Sequence, residues 1–255
     1  MDFGNPRTFN EKLQWLKIYD YKENYTDLVD KYLVKKFVSQ RIGDKYVIPT
    51  IGVWNKLSEI DWFILPNRFV IKTTDGSGNN GVVICRDKKK FDINNAIKKL
   101  SESSELTGVA YREHPYYNVK QRIIAEHLLV NDESPDSDVE DYKFFCFNGE
   151  PKYLYISDSQ NHKLQFLNLD WTPASFSRSD YDLYDTIPTK PNNLAEMIEI
   201  ARILSKDFLH VRVDLYNVNS RIYFGELTFY TGGGFIPFSS MEDDIIAGSY
   251  LNLPI

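Results

Sequence analysis

Arg212, Asp214 and Tyr216 fall on alternate positions of His210-Val-Arg-Val-Asp-Leu-Tyr216, and Glu226 and Thr228 do the same in Arg221-Ile-Tyr-Phe-Gly-Glu-Leu-Thr228. Both stretches have the β-branched and aromatic content of strands, and strand side chains alternate between faces with period two. If the two pair as a hairpin with these faces together, two carboxylates meet beside an arginine. That setting suits a hard divalent cation, because magnesium takes one or two carboxylates and fills its shell with substrate phosphate oxygens. The condition is one of parity. Asp214 and Glu226 share a face only if paired residue numbers sum to an even value, so the loop must have odd length or the pairing a bulge. Otherwise the same residues form a charged solvent face with an Arg–Glu pair.

A second set lies earlier in the chain. Asp75-Gly-Ser-Gly-Asn-Asn-Gly81 is a glycine-rich loop with Lys72 just before it. No Gly-Lys-Ser/Thr ends it and no helix follows, so it is neither a phosphate loop of the Walker type nor a dinucleotide fingerprint. A strand leads in and a strand leads out. Such a loop can fold over phosphates because glycine lets backbone N–H groups approach the oxygens closely. The competing reading is an ordinary hairpin loop beside an exposed lysine. Glu126 ends the apolar run Arg122-Ile-Ile-Ala-Glu126 where the chain passes between two lobes, and a hinge there could offer backbone groups to an adenine edge. Asp141 and Lys143 share a face by alternation, an acid suited to ribose hydroxyls beside a base suited to phosphates.

The elements that must position these residues are legible in outline. Thr8 and Glu11 form a capping box that opens a helix through Leu13 and Leu16. A second helix is expected from about residue 27 to 42, ended by Gly43, with Lys31, Lys35, Lys36 and Arg41 on a solvated face. Strands are expected at 68–74, 82–86 and 122–127, with a helix capped by Asp92 that buries Ile93, Ile97 and Leu100. Residues 131–140 read as a loop. Asn148-Gly149 is the preferred two-residue hairpin dipeptide between 142–147 and 151–156. A strand at 164–168 and an amphipathic helix through Leu194, Met197, Ile198, Ala201, Leu204 and Phe208 precede the hairpin at 210–228. This is an α+β pattern of two lobes with mostly antiparallel sheets. The expected division is a helical segment over 1–50, a small lobe over 51–130 and a large lobe over 131–255.

The 255 residues carry a net charge of −6, so no basic excess exists for gripping nucleic acid by its phosphates. Apolar runs are too short for a membrane span, and the first residues lack the pattern of a signal peptide. The two cysteines are too few for a disulfide scaffold or a metal cluster. A cytoplasmic protein is expected.

Taken in order, the motifs resemble the ATP-grasp superfamily, specifically its polysaccharide-associated branch of teichuronopeptide-biosynthesis (TupA-like) proteins. The resemblance runs through Thr8-Phe-Asn-Glu-Lys12, Asp30-Lys31, Leu65-Pro-x-x-Phe-Val-Ile-Lys72 with the glycine loop, and Ile124-Ala-Glu126. It continues through Asp141-Tyr-Lys-Phe-x-Cys-Phe-Asn-Gly149, Val211-Arg-Val-Asp-Leu-Tyr216, Gly225-Glu-Leu-Thr-Phe229 and Gly248-x-x-Leu-x-Leu-Pro254. It implies an ATP-grasp fold in which two lobes grip a nucleotide. Lys72, Ser77 and Gly78 would hold the ATP phosphates, with Lys31 as an additional ligand. Glu126, His127 and Leu128 would cradle adenine, and Asp141 and Lys143 would touch ribose and phosphate. Asp214 and Glu226 would bind Mg²⁺ (or Mn²⁺), with Thr228 standing where many relatives have Asn. Arg212 and Lys143 would be the catalytic cations. The full Rossmann-like domain that often precedes the grasp is not expected here, so part of the acceptor site would come from the helical start or be missing.

The implied chemistry is carboxylate activation by ATP, followed by amide formation. The acceptor would be a carboxylate such as a hexuronic acid or its nucleotide sugar, and the donor an amine such as an amino acid. A sugar or polyol kinase on the same fold is the alternative. A nucleotide-sugar glycosyltransferase is a lesser one, resting on Asp180-Tyr-Asp182. His114, Tyr111, Tyr116 and Tyr117 form a polar-aromatic cluster that could line an acceptor pocket.

Overall fold

Helix α1 (Phe9–Tyr19) opens on the expected capping box: the Thr8 hydroxyl accepts from the Glu11 N–H at 3.1 Å, and the Glu11 carboxylate accepts from the Thr8 N–H at 3.2 Å. In this computed structural model the described residues are all but 1–2, 77–80 and 104–110. The chain forms two compact units, one of Lys22–Asp138 and one of Met1–Tyr21 with Val139–Ile255. Helix α1 therefore belongs to the unit that carries the second half of the chain.

In the unit Lys22–Asp138, the expected single helix is two: α2 (Tyr25–Val29) and α3 (Val34–Ile42). The break has a physical cause. Asp30 is completely buried, and its carboxylate accepts from the N–H groups of Tyr32 and Leu33 at 2.8 and 3.0 Å, so the side chain competes with the helical ladder. A four-stranded antiparallel sheet follows, in the order β1 (Thr50–Trp54), β4 (Ile123–His127), β2 (Phe69–Thr73), β3 (Val82–Cys85). Helix α4 (Ile93–Glu102) covers one face, capped by Asp92 as expected. It buries Ala96 and Leu100 rather than Ile93, which is 37% exposed in the first turn. Phe69, Ile71, Val83, Ala96, Leu100, Ile123 and Ala125 make the core of this unit.

The other unit is a five-stranded antiparallel sheet in the order β7 (Lys163–Asn168), β6 (Glu150–Asp158), β5 (Asp141–Phe147), β8 (His210–Val218), β9 (Arg221–Thr228). Asn148 and Gly149 both have positive φ, the conformation of the expected hairpin turn. Helix α5 (Leu194–Ser205) lays Leu194, Met197, Ile200, Ala201 and Leu204 on the sheet. The opposite side carries an aromatic core of Phe9, Phe145, Phe147, Tyr153 and Phe166, with His210 edge-on to Phe9 and stacked on Phe147. Burial holds the His210 imidazole down at about 3, so it stays neutral in this core.

Helix α6 (Met241–Gly248) crosses the start of α1 at Gly248, where a Cβ would lie 2.4 Å from the Phe9 nitrogen. Lys12 then donates to the carbonyls of Gly248 and Leu251 at 2.8 and 2.7 Å. Two of the sequence motifs, one near each end of the chain, are thus the two halves of one packing contact.

Candidate functional site

Strands β8 and β9 are joined by the two-residue turn Asn219-Ser220, both at positive φ, which by itself gives odd sums such as Val218 with Arg221. The register then shifts between Asp214 and Leu215, so Asp214 pairs directly with Glu226 and Arg212 with Thr228. The extra residue is Gly225, and the parity condition is met by a bulge. A Cβ on Gly225 would sit 3.1 Å from the Asp214 carbonyl oxygen, which explains the glycine there. On the other side of β8, Lys143 pairs with Asp214 and Phe145 with Arg212. Lys143, Asp214 and Glu226 therefore form a row across three adjacent strands.

The row is an ion-pair network. Arg212 grips Asp214 with two bonds, Nε to Oδ1 at 2.7 Å and Nη2 to Oδ2 at 2.6 Å, and reaches Glu226 Oε1 at 2.9 Å. Lys143 donates to Asp214 Oδ2 at 2.7 Å and also pairs with Asp141. The Thr228 hydroxyl donates to Glu226 Oε1 at 3.1 Å. Burial alone would lower the affinity of Arg212 and Lys143 for their protons, but the neighbouring carboxylates outweigh it and hold both well above their ordinary values. Asp141 goes the other way. Its Oδ1 is buried without a hydrogen-bond partner, and desolvation pushes the carboxyl up to about 6 against the pull of Lys143.

The donor set fits a hard cation. Asp214 and Glu226 supply carboxylate oxygens on one face and Thr228 a hydroxyl, all oxygen ligands of the kind Mg²⁺ or Mn²⁺ prefers. Among the described residues no group of three or more His, Cys, Asp or Glu side chains is gathered as a complete metal site. Two carboxylates and a hydroxyl leave room in an octahedral shell that phosphate oxygens can fill.

The unit Lys22–Asp138 holds the other cluster. Lys72 on β2 and Glu126 on β4 are diagonal neighbours, since Glu126 pairs with Val70. Lys72 Nζ lies 2.6 Å from Glu126 Oε2, and Lys35 from α3 pairs with Oε1 of the same carboxylate. Burial would raise the Glu126 carboxyl, but Lys72 and Lys35 outweigh it and hold it below the usual carboxylate range. Lys35 was expected on a solvated face and is instead largely buried, with 12% of its side chain exposed. Its spacing matches that of its exposed neighbours, and only the tertiary contact with β4 distinguishes it.

The remaining expected residues are distributed as follows. Lys31 sends its ammonium to the Gly76 carbonyl and its backbone N–H to Thr74 O at 3.1 Å. His127 is exposed, with its backbone N–H on the Pro49 carbonyl at 3.2 Å, and Leu128 is half-buried. Ser77 and Gly78 lie outside the described residues. Tyr111 and Tyr117 are exposed, Tyr116 is half-buried, and His114 is in ring contact with Tyr117 at 5.2 Å. Both oxygens of Asp180, the first acid of the Asp-x-Asp triplet, are engaged by Arg178 at 2.8 and 2.6 Å.

Two antiparallel sheets with this strand order, one bearing a lysine before a glycine loop and the other paired carboxylates, define an ATP-grasp fold. D-alanine–D-alanine ligase from Helicobacter pylori superposes with a TM-score of 0.57 at 15% identity, covering 95% of this chain and 69% of that one. The ADP complex of purK, N5-carboxyaminoimidazole ribonucleotide synthetase, gives 0.52 at 14% identity, covering 86% and 50%. D-alanyl-alanine synthetase A from Vibrio cholerae gives 0.50 at 13%, covering 93% and 67%. No curated protein matches the chain by sequence. The profile of the TupA-like ATP-grasp family matches residues 11–252, and the chain belongs to that family.

Proposed function

We propose that this protein is an ATP- and Mg²⁺-dependent carboxylate–amine ligase that forms ADP. The observation that carries the reading is the row Lys143–Asp214–Glu226 with Arg212 beside it, on the sheet of an ATP-grasp protein. Asp214 and Glu226, with Thr228, would hold the metal, whose role when bound is to neutralise phosphate charge. Lys72 and Lys35 would face the phosphates, together with Lys31 and the loop containing Ser77 and Gly78. The backbone from Glu126 to Leu128 would take adenine, and Asp141 with Lys143 the ribose and phosphate.

In the reaction, an acceptor carboxylate oxygen attacks the γ-phosphorus of ATP, and the bond to ADP breaks. The amine then adds to the acyl phosphate carbon, loses a proton and expels phosphate, leaving an amide. Two anions meet in the first step, so cations must offset their repulsion. Lys143 and Arg212, held charged by their carboxylate neighbours, supply fixed positive charge, and Arg212 would stabilise the oxyanion of the tetrahedral intermediate.

Membership in the TupA-like family supports a place in surface-polysaccharide biosynthesis, with a hexuronic acid or its nucleotide sugar as acceptor and an amino acid as donor. Among the described residues no helix is long and apolar enough to cross a membrane, and a requirement for ATP points to the cytoplasm.

The test is turnover of Mg²⁺–ATP with hexuronate-bearing nucleotide sugars and a pool of amino acids, followed by nucleotide analysis and mass spectrometry. ADP with a product one water lighter than its two substrates is expected. ADP with a product heavier by one phosphoryl group would replace the ligase by a kinase.

A further inference from the structure

Glu126 gives one negative charge to two ammonium groups. The carboxylate is 4% exposed, whereas Lys35 and Lys72 keep 12% and 15% of their side chains exposed. One lysine would suffice to neutralise a buried carboxylate, and a second is repelled by the first. Yet α3 is fixed so that Lys35 arrives there. Asp30 takes the N–H groups of Tyr32 and Leu33 in the turn that leads into α3 and also receives Arg122 Nη1 at 3.0 Å. The Lys31 N–H binds Thr74 O just beyond β2, and Lys35 donates to the Ile48 carbonyl at 2.6 Å. These ties anchor α3 to the segments flanking β2, β4 and β1, so the closeness of Lys35 and Lys72 is built into the backbone.

We propose that Glu126 is a positioning residue: its carboxylate holds the Lys35 and Lys72 ammonium groups side by side as one seat, with a net positive charge, for the phosphates of ATP. The inference rests on the nucleotide reading above and deepens it, because it commits the Glu126 side chain to the lysines and leaves only its backbone for adenine. The charged groups facing Lys35 are Lys72 from β2 and Glu126 from β4, while Lys31, on its own segment, is directed to Gly76. Burial, the largest influence, and Lys72 hold Lys35 below the ordinary lysine value, and Glu126 offsets only part of this. Without Glu126, Lys35 gives up its proton more readily and swings from Lys72.

The experiment is calorimetric titration of Mg²⁺–ADP into the full chain at pH 7 and pH 9. The wild type is expected to lose less affinity between pH 7 and pH 9 than a variant without the carboxylate, because Glu126 offsets part of the burial effect that lowers Lys35. Glu126→Gln is expected to bind about tenfold more weakly at pH 7, the effect of losing one charge-assisted contact, and more weakly again at pH 9. Adding Lys35→Arg to Glu126→Gln removes the pH step, because a guanidinium does not titrate there. Unchanged or tighter binding by Glu126→Gln, or a pH step no larger than that of the wild type, would overturn the proposal. If that variant does not fold, Lys35→Met, which leaves Glu126 its Lys72 partner, is expected to weaken binding about tenfold, and full affinity would overturn the seat. A wild type that binds no Mg²⁺–ADP contradicts the nucleotide reading instead. The ¹³C-dimethyl-lysine resonances then still report on Glu126: Lys35 should titrate at lower pH in Glu126→Gln, and an unmoved titration contradicts its role as counter-ion.

Discussion

Asp214 and Glu226 are both proposed metal ligands, but their surroundings differ. Asp214 has 2% of its side chain exposed and binds Arg212 through two oxygens and Lys143 through one, whereas Glu226 is 31% exposed. Removing a charge from Asp214 leaves two buried cations short of a partner, and breaking such a pair costs about 3–5 kcal/mol. Removing it from Glu226 disturbs a contact that water can partly replace, worth about 1 kcal/mol or less. Asp214→Asn is therefore expected to lower both thermal stability and turnover. Glu226→Gln should lower turnover by about a hundredfold or more with a melting temperature close to that of the wild type. Equal stability losses in the two variants, read by calorimetry, would contradict this division of roles. Alternation in the sequence was enough to place Arg212 with Asp214 on one face of β8 and Asp141 with Lys143 on one face of β5, because period two is a local property of strands, whereas strand pairing brings the two faces together. Lys35 was not legible in the same way. Nothing local separates Lys35, which meets β4, from Lys36 beside it, which is exposed.

At the scale of elements, the site depends on the bulge at Gly225. The two-residue turn sets one parity, and the bulge changes it before the strands reach Asp214. A side chain at 225 would press on the Asp214 carbonyl at 3.1 Å and on the Tyr216 ring at 3.2 Å. Gly225→Val is expected to cost about 1–3 kcal/mol through this crowding and to reduce Mg²⁺-dependent turnover, because a regular ladder without the bulge would turn Glu226 to the other face. Retention of full activity would show that the register is set elsewhere. The parity rule allows either an odd-length loop or a bulge, and the bulge at Gly225 is the one that occurs. The break between α2 and α3 was hidden for the opposite reason. Asp30 lies within an apolar helical pattern, and only its burial, with Arg122 as partner, turns it from an interior residue into the acceptor that holds the turn between α2 and α3. Strand β1 escaped notice because it is five residues long and contains Gly52.

For the whole molecule, the two units place the proposed ligands on two antiparallel sheets, and the fold and the family agree with the motif order in the sequence. The α+β class was legible because strand alternation and helix caps are local. The membership of α1 in the second unit is not local, since it is fixed by contacts such as Phe9 with Gly248 and Lys12 with Leu251. The central claim is that the carboxylate row binds metal together with a nucleotide. Arg212 and Lys143 already pair with Asp214, so Mg²⁺ alone should bind weakly, and phosphate oxygens must complete its shell. The most direct test is titration of ADP into wild type and Glu226→Gln, each with Mg²⁺ and with EDTA. The account predicts that Mg²⁺ tightens ADP binding by about tenfold or more in the wild type and has little effect in Glu226→Gln. Equal tightening in both proteins, or no dependence on Mg²⁺ in the wild type, would contradict it.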